Sequence, residues 1–274
     1  MGGRGREEGT VVSSAFAPLW RRETEAFFRT SIAFTGGVFF LVLTGVAFWL
    51  QAGRLAAGGP AGAGADAAMD AAAAGLPEAF WASPWCCLAG LLLATMLTMR
   101  LFAEEIRMGT LETLMAAPVT EAEVVLSKFA AAGTVYALMW LPARAYPAVA
   151  RACGIQIPPS GAGVALAGYL GMMLLGGVFL SAGLFCSLLT KHQVVAAMLS
   201  FGVLGVWVSG GLLALRGGGE VAGAAALLRA LSAPQHMRDF AAGILDTRTL
   251  VFHLSAAALL LFASVRLLEA RRLR

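Results

Sequence analysis

The sequence predicts an all-α membrane protein whose chain crosses the bilayer six times. Three observations carry that prediction. Of 274 residues, 59% are apolar and 13% charged, against about 45–50% and about 25% in an ordinary soluble domain. Six long apolar runs follow one another, at about 31–52, 81–102, 122–145, 163–189, 194–215 and 248–267. Each is long enough for a helix to cross roughly 30 Å of hydrocarbon. The 20 Lys and Arg residues also sort by loop. Arg4, Arg6, Arg21, Arg22, Arg29, Arg100, Arg107, Lys128, Lys191, Arg266, Arg271, Arg272 and Arg274 fall in one set of loops and ends. Arg54, Arg144, Arg151, Arg216, Arg229, Arg238 and Arg248 fall on the other side. The positive-inside rule then places both termini, and the loop between the second and third spans, in the cytoplasm. The net charge of +4 therefore speaks to topology rather than to nucleic acid.

Residues 1–15 are polar and predicted to form a disordered cytoplasmic tail, with 16–274 forming one membrane domain. From Phe16 to Arg29, aromatic residues alternate with Arg21, Arg22 and Arg29 at helical spacing, which predicts a helix lying in the headgroup region. The first thirty residues hold no short apolar run followed by a small-residue cleavage site, so the first span is expected to direct insertion. Residues 53–80 are biased to Ala and Gly, and Gly58, Gly59 and Pro60 break helix there. Trp81 and Trp85 stand at the outer end of the second span, where an aromatic belt would place them.

The third span carries Pro142, Arg144 and Pro147 near its outer end. A charge inside the membrane is costly and marks function, whereas a long side chain close to the surface simply snorkels. Arg144 stands only a few residues inside the outer surface, so snorkelling is the favoured reading on sequence. Residues 151–162, with Pro158, Pro159 and Gly161, read as an outer turn. In the fourth span Gly177-xxx-Ser181 and Gly183-xxx-Ser187 allow another helix to approach closely, within this chain or in a second one. A tight loop at 190–193 leads into the fifth span. Residues 216–247 form two short amphipathic pieces broken at Pro234, and Asp246 or Thr247 caps the sixth span.

The longest charged interruption is 100–128, RLFAEEIRMGTLETLMAAPVTEAEVVLSK. Read as one helix, it puts Met108, Leu111, Leu114 and Met115 on a single stripe, with Glu104, Glu105, Arg107 and Glu112 mostly on other faces. Pro118 ends that helix, and Thr120-x-x-Glu123 has capping-box spacing for the next. The segment therefore offers apolar knobs and carboxylates to the aqueous side. Lying flat on lipid is the bland alternative, but lipid-surface helices favour Lys and Arg over Glu. A docking helix for a soluble cytoplasmic partner fits better.

Other chemistry is scarce. No GxxxxGK[ST] run builds a phosphate cradle, and no HExxH or GxSxG run occurs. His192, His236 and His253 are spread over an inner loop, an outer segment and a span, with nothing pairing them as ligands. Cys86, Cys87, Cys153 and Cys186 lack metal spacing, although Cys153 and one of Cys86 or Cys87 fall near the same surface. An intramembrane enzyme would need paired His, Asp or Glu within the spans, and none is paired there.

The run EEIRMGTLETLMAAPVTEAEVVLSKFAAA at 104–132 resembles the cytoplasmic loop of type-2 ABC transporter permeases, particularly the gliding-motility-type subfamily. GYLGMMLLGGVFLSAGLFCSLLTKHQVVAAMLSF is similar to that family's fourth and fifth spans, and HMRDFAAGILDTRTLVFHLS to its last outer segment. The three motifs keep the family's order, and the likeness covers about 18–272. The resemblance implies that 103–117 is a coupling helix seated in a groove of a separate ATPase. Glu104, Glu105, Met108, Gly109, Thr110, Leu111, Glu112 and Leu114 would be its partner-facing set. It implies two ATPase subunits, which bind ATP and Mg, and two permease chains, homodimeric or heterodimeric, in a bacterial inner membrane. This chain would bind no cofactor and catalyse nothing itself, while moving a substrate, with export expected. Two departures, the long 53–80 excursion and the charge within Ala-Arg-Ala-Tyr-Pro at 143–147, lie on the far side, where substrate or an extracytoplasmic accessory protein is met. The competing reading is a membrane scaffold that uses ATPase motion for mechanical or regulatory work without passing a solute.

Overall fold

The structure is a computed structural model that describes residues 16–56, 75–76, 78–115, 119–154, 162–216 and 230–272. No strand occurs among them. In chain order the helices are α1 (Phe16–Phe28), α2 (Ser31–Ala56), α3 (Pro84–Thr98), α4 (Ala103–Met108), α5 (Thr110–Met115), α6 (Glu121–Trp140), α7 (Tyr146–Ala152), α8 (Ala162–Leu189), α9 (Gln193–Arg216), α10 (Ala233–Ala241) and α11 (Thr247–Arg272). Six helical stretches are long and apolar enough to cross a membrane: α2, α3 continued through α4 (Pro84–Met108), α6 continued through α7 (Glu121–Ala152), α8, α9 and α11. The predicted tail at 1–15, the breakers Gly58 to Pro60, Pro118 and the turn at Pro158 to Gly161 lie outside the described residues.

Local chemistry sets the boundaries. Ser83 caps α3 by accepting the Trp85 N–H, with Pro84 at the first helical position where its missing N–H costs nothing. The helix itself ends at Thr98 in a turn over 99–102, and the apolar stretch continues to Met108. Thr120 and Glu123 close the expected capping box on α6. That helix stops at Trp140 rather than running to 145. Pro142 has no N–H to donate, and the chain tightens into a 3₁₀ turn, Leu141–Ala145, before α7. Asp246 caps α11 through the Arg248 N–H, while Pro234 starts α10 behind the cap Ser232.

Helix α8 is the hub, packing against α3, α6, α9, α10 and α11. In lipid the fit of surfaces replaces the hydrophobic drive between helices, so small residues decide who approaches whom. Gly168 faces the Trp81 ring, Gly171 faces Phe240, Gly176 faces Tyr136 and Gly183 faces Thr98, each too closely for a β-carbon. Of the two expected pairs, Gly183 and Ser187 make interhelical contacts, whereas Gly177 opens onto free space and Ser181 bonds its own helix at Val178 O. Hydroxyls buried in the spans likewise bond carbonyls one turn back, as Thr44 does to Phe40, Thr95 to Leu91 and Thr98 to Ala94.

Two expected placements change. Trp85 is half exposed, but Trp81 is buried, stacked among Phe80, Trp140 and Tyr169 rather than facing lipid. Helix α1 does not merely rest on a surface. It lies antiparallel along the first half of α6, with Trp20 Nε1 donating to Thr134 Oγ1 at 3.2 Å and Glu23 opposite Lys128. The C-terminal end of α11 meets the start of α6 through Arg272 and Glu121. So α1, the 103–115 segment and the C-terminal end share one end of the bundle.

Gly183→Leu is expected to lower the unfolding midpoint in detergent by overpacking against Thr98, a cost of about 1–3 kcal/mol. Gly177→Leu, which meets open space, should leave it nearly unchanged.

Candidate functional site

The 103–115 segment is two short helices, not one. Gly109 sits at φ +71°, a left-handed conformation that ends α4 by returning its N–H to Glu105 O and Ile106 O, and α5 starts at once from Thr110. The break divides the stripe read from sequence. Met108 is 56% exposed, whereas Leu111 and Leu114 turn back, half-buried, with Ile106 onto the core. The side chain of Met115 lies outside the described residues. The exposed tip is Arg107, Met108, Gly109 and Thr110, with Glu112 beside it.

The base of the tip is clamped from three directions. Phe102, which caps α4, has no side-chain acceptor of its own. Ser187, at the end of α8, supplies it by accepting the N–H groups of Phe102 at 3.1 Å and Ala103 at 3.0 Å. The same hydroxyl donates to Met99 O at 3.3 Å. Orphan donors at a helix start are thereby satisfied by a neighbouring span.

The second clamp is ionic. Lys128 Nζ lies 2.7 Å from Glu105 Oε1 and 3.0 Å from Glu23 Oε2, with its side chain only 2% exposed. Its ammonium also stands over the Phe102 ring, 5.3 Å from the centroid. Arg22 Nη2 reaches Glu23 Oε1 at 3.1 Å, so two cations face two carboxylates and the cluster is close to neutral. The second oxygen of Glu105 is buried without a partner among the described residues. Glu105 is therefore an internal tie rather than an outward carboxylate, because a buried ammonium next to it outcompetes solvent. Glu104 pairs with Arg100 at 3.2 Å, half-buried. A cleft of about 210 Å³ runs beside these groups, lined by Arg22, Arg100, Glu104 and Met108 among others.

Sequence reading missed Glu23, Lys128 and Ser187 as parts of this site. Lys128 was read only as one of the cytoplasmic cations, and Ser187 as a small residue for packing. The histidines also differ from expectation. His236 and His253 are brought together, ring centroids 5.2 Å apart, each with one ring nitrogen against a backbone carbonyl, Ala230 O and Thr249 O respectively. Burial pushes the His236 imidazole below its ordinary pKa. No group of three metal-ligating side chains forms among the described residues. Cys86, Cys87 and Cys186 are buried, Cys153 is exposed, and all four are free thiols.

Six helical stretches around a small-residue hub, with a helical loop anchored to two spans, define a multi-pass helical membrane protein. Residues 21–240 match the family described as ABC-2 family transporter protein, and the chain belongs to that family. It is thus a permease-type membrane component of an ABC transporter. No curated protein matches it.

Lys128→Met should strand the buried Glu105 carboxylate, leave Glu23 with Arg22 alone, and cost about 3–5 kcal/mol of stability. Adding Glu23→Gln and Glu105→Gln should recover most of that loss, because the uncompensated charge goes with them. Denaturant titration of the purified chain in detergent reads both.

Proposed function

We propose that this chain is a membrane-spanning subunit whose 103–115 tip docks a separate cytoplasmic ATPase and passes its motion to the spans. What supports the reading most is one feature: the tip is exposed while its base is bonded to α6 and α8 and, through Lys128, tied to α1. A push on Met108 would therefore be delivered to three elements at once. The absence of a phosphate-cradling motif leaves ATP and Mg to the partner. In this reading both termini are cytoplasmic, the membrane is a bacterial inner membrane, and the complex holds two ATPases and two permease chains. The mostly exposed outer faces of α2, α9 and α11 leave surface for a second permease copy and for lipid. Export is the direction proposed, and the gliding-motility-type subfamily is the proposed placement within the family.

The docking set narrows from the sequence reading. Met108, Gly109, Thr110 and Glu112 face outward with Arg107. Leu111 and Leu114 support them from below, Glu104 flanks them, and Glu105 anchors them. The scaffold reading uses the same tip and differs only in whether a solute crosses.

Co-purification with cytoplasmic ATPases tests this. Met108→Asp should cut ATPase recovery about tenfold or more, as loss of a central apolar anchor does, without moving the unfolding midpoint. Leu111→Asp should lower both, because Leu111 packs on the core. Full recovery with Met108→Asp would refute the tip as the docking face.

A further inference from the structure

At the end of the bundle opposite Lys128, Phe48, Phe80, Trp81 and Tyr169 wall a cavity of about 270 Å³, together with Pro147 and Leu166. Arg144 also lines it, projecting from the 3₁₀ turn that follows α6. Its side chain is exposed and makes no ion pair or hydrogen bond among the described residues. The rings are held by one another: Trp81 meets Trp140 tilted at 5.5 Å and Phe80 edge-on at 5.1 Å, and Tyr169 donates its hydroxyl to Ala137 O at 2.9 Å. A second, more open groove of about 740 Å³ adjoins this cavity, and the two share Leu166 and Tyr169. Leu170, Met173 and Leu245 continue its apolar wall.

We propose that this is a binding site for an anionic amphiphile, its acidic headgroup on Arg144 and its acyl chain running past Tyr169 and Leu166 into the groove. A guanidinium fork fits a carboxylate or phosphate through two parallel hydrogen bonds. Aromatic and aliphatic walls reward a chain and penalise a sugar, whose hydroxyls would lose water without gaining partners. An inorganic anion would use Arg144 but leave the rings idle. The cavity alone is at the small end of ligand pockets, about 300–1,000 Å³, so it suits one end of a long molecule whose remainder occupies the groove. Neither snorkelling nor topology requires aromatic walls around the cation. The site is a property of this chain alone and stands independently of the ATPase reading.

The test uses the full chain in nanodiscs of zwitterionic phosphatidylcholine, labelled with a diazirine-bearing palmitate or its methyl ester and mapped by peptide mass spectrometry. Saturable labelling by the acid at 141–147 and 165–170, with the ester at least about tenfold weaker, is expected for a charge-assisted contact. Arg144→Gln should weaken the acid to the level of the ester, and Arg144→Lys should restore part of the difference. Leu166→Trp, which fills the junction of the two cavities, should abolish labelling by both. Displacement by free palmitate would assign a single-chain acid, and displacement by phosphatidylglycerol added to the disc would assign a bilayer lipid. Either supports the site. Equal labelling by acid and ester, or labelling indifferent to Arg144→Gln, would overturn it. Because no ATPase is present, failure here leaves the docking reading intact, and loss of docking leaves this site intact.

Discussion

A single ammonium group, that of Lys128, ties together segments that are far apart in the chain. Glu23 on α1 and Glu105 on α4 both bond it, and almost no solvent reaches it. An ion cluster in such a place is poor evidence of net stability, since removing charges from water costs as much as their attraction returns. Its value lies in specificity. Lys128 or Glu105 left alone would be a buried, unpaired charge, so α4 and α6 separate only at high cost, and Glu23 holds α1 to the same ammonium. With Ser187 adding α8, the exposed tip rests on a base of fixed geometry.

The remainder of the bundle is organised for close approach rather than for polar contact. Glycines along α8 let aromatic rings and Thr98 come against its backbone, and the buried Thr95 and Thr98 hydroxyls are satisfied within their own helix. The polar clamps therefore stand at one end, and the aromatic cavity with Arg144 at the other. In the proposed cycle, motion entering at the tip would cross the bundle along α6 and α8, both of which extend from the clamp to that cavity.

Much of this was legible in the sequence because lipid leaves so few options. Long apolar runs had to be helices, and the capping signals at Thr120 and Asp246 are local chemistry that no packing overrode. What escaped was tertiary. Nothing within 104–112 reveals that Glu105 turns inward while Glu104 does not, because that choice belongs to Lys128, a full span-start away. Gly109 stood in the sequence only as one of the partner-facing set, but its left-handed φ breaks the stripe that a continuous helix would present. Trp81 looked like a belt residue until Gly168 opened a seat for its ring. His236 and His253 stand on different elements, and only the packing of α10 on the bundle joins them.

The central claim is that α1 and the 103–115 tip form one rigid body. The most direct measurement places spin labels at Arg21 and Thr110 of one chain, with the exposed Cys153 changed to Ser, and follows their separation by pulsed electron resonance. The account predicts one narrow distance, unchanged when an ATPase partner and ATP are added. A second distance, or a shift on ATP binding, would show that α1 and the tip move apart and that the Lys128 tie does not transmit the motion.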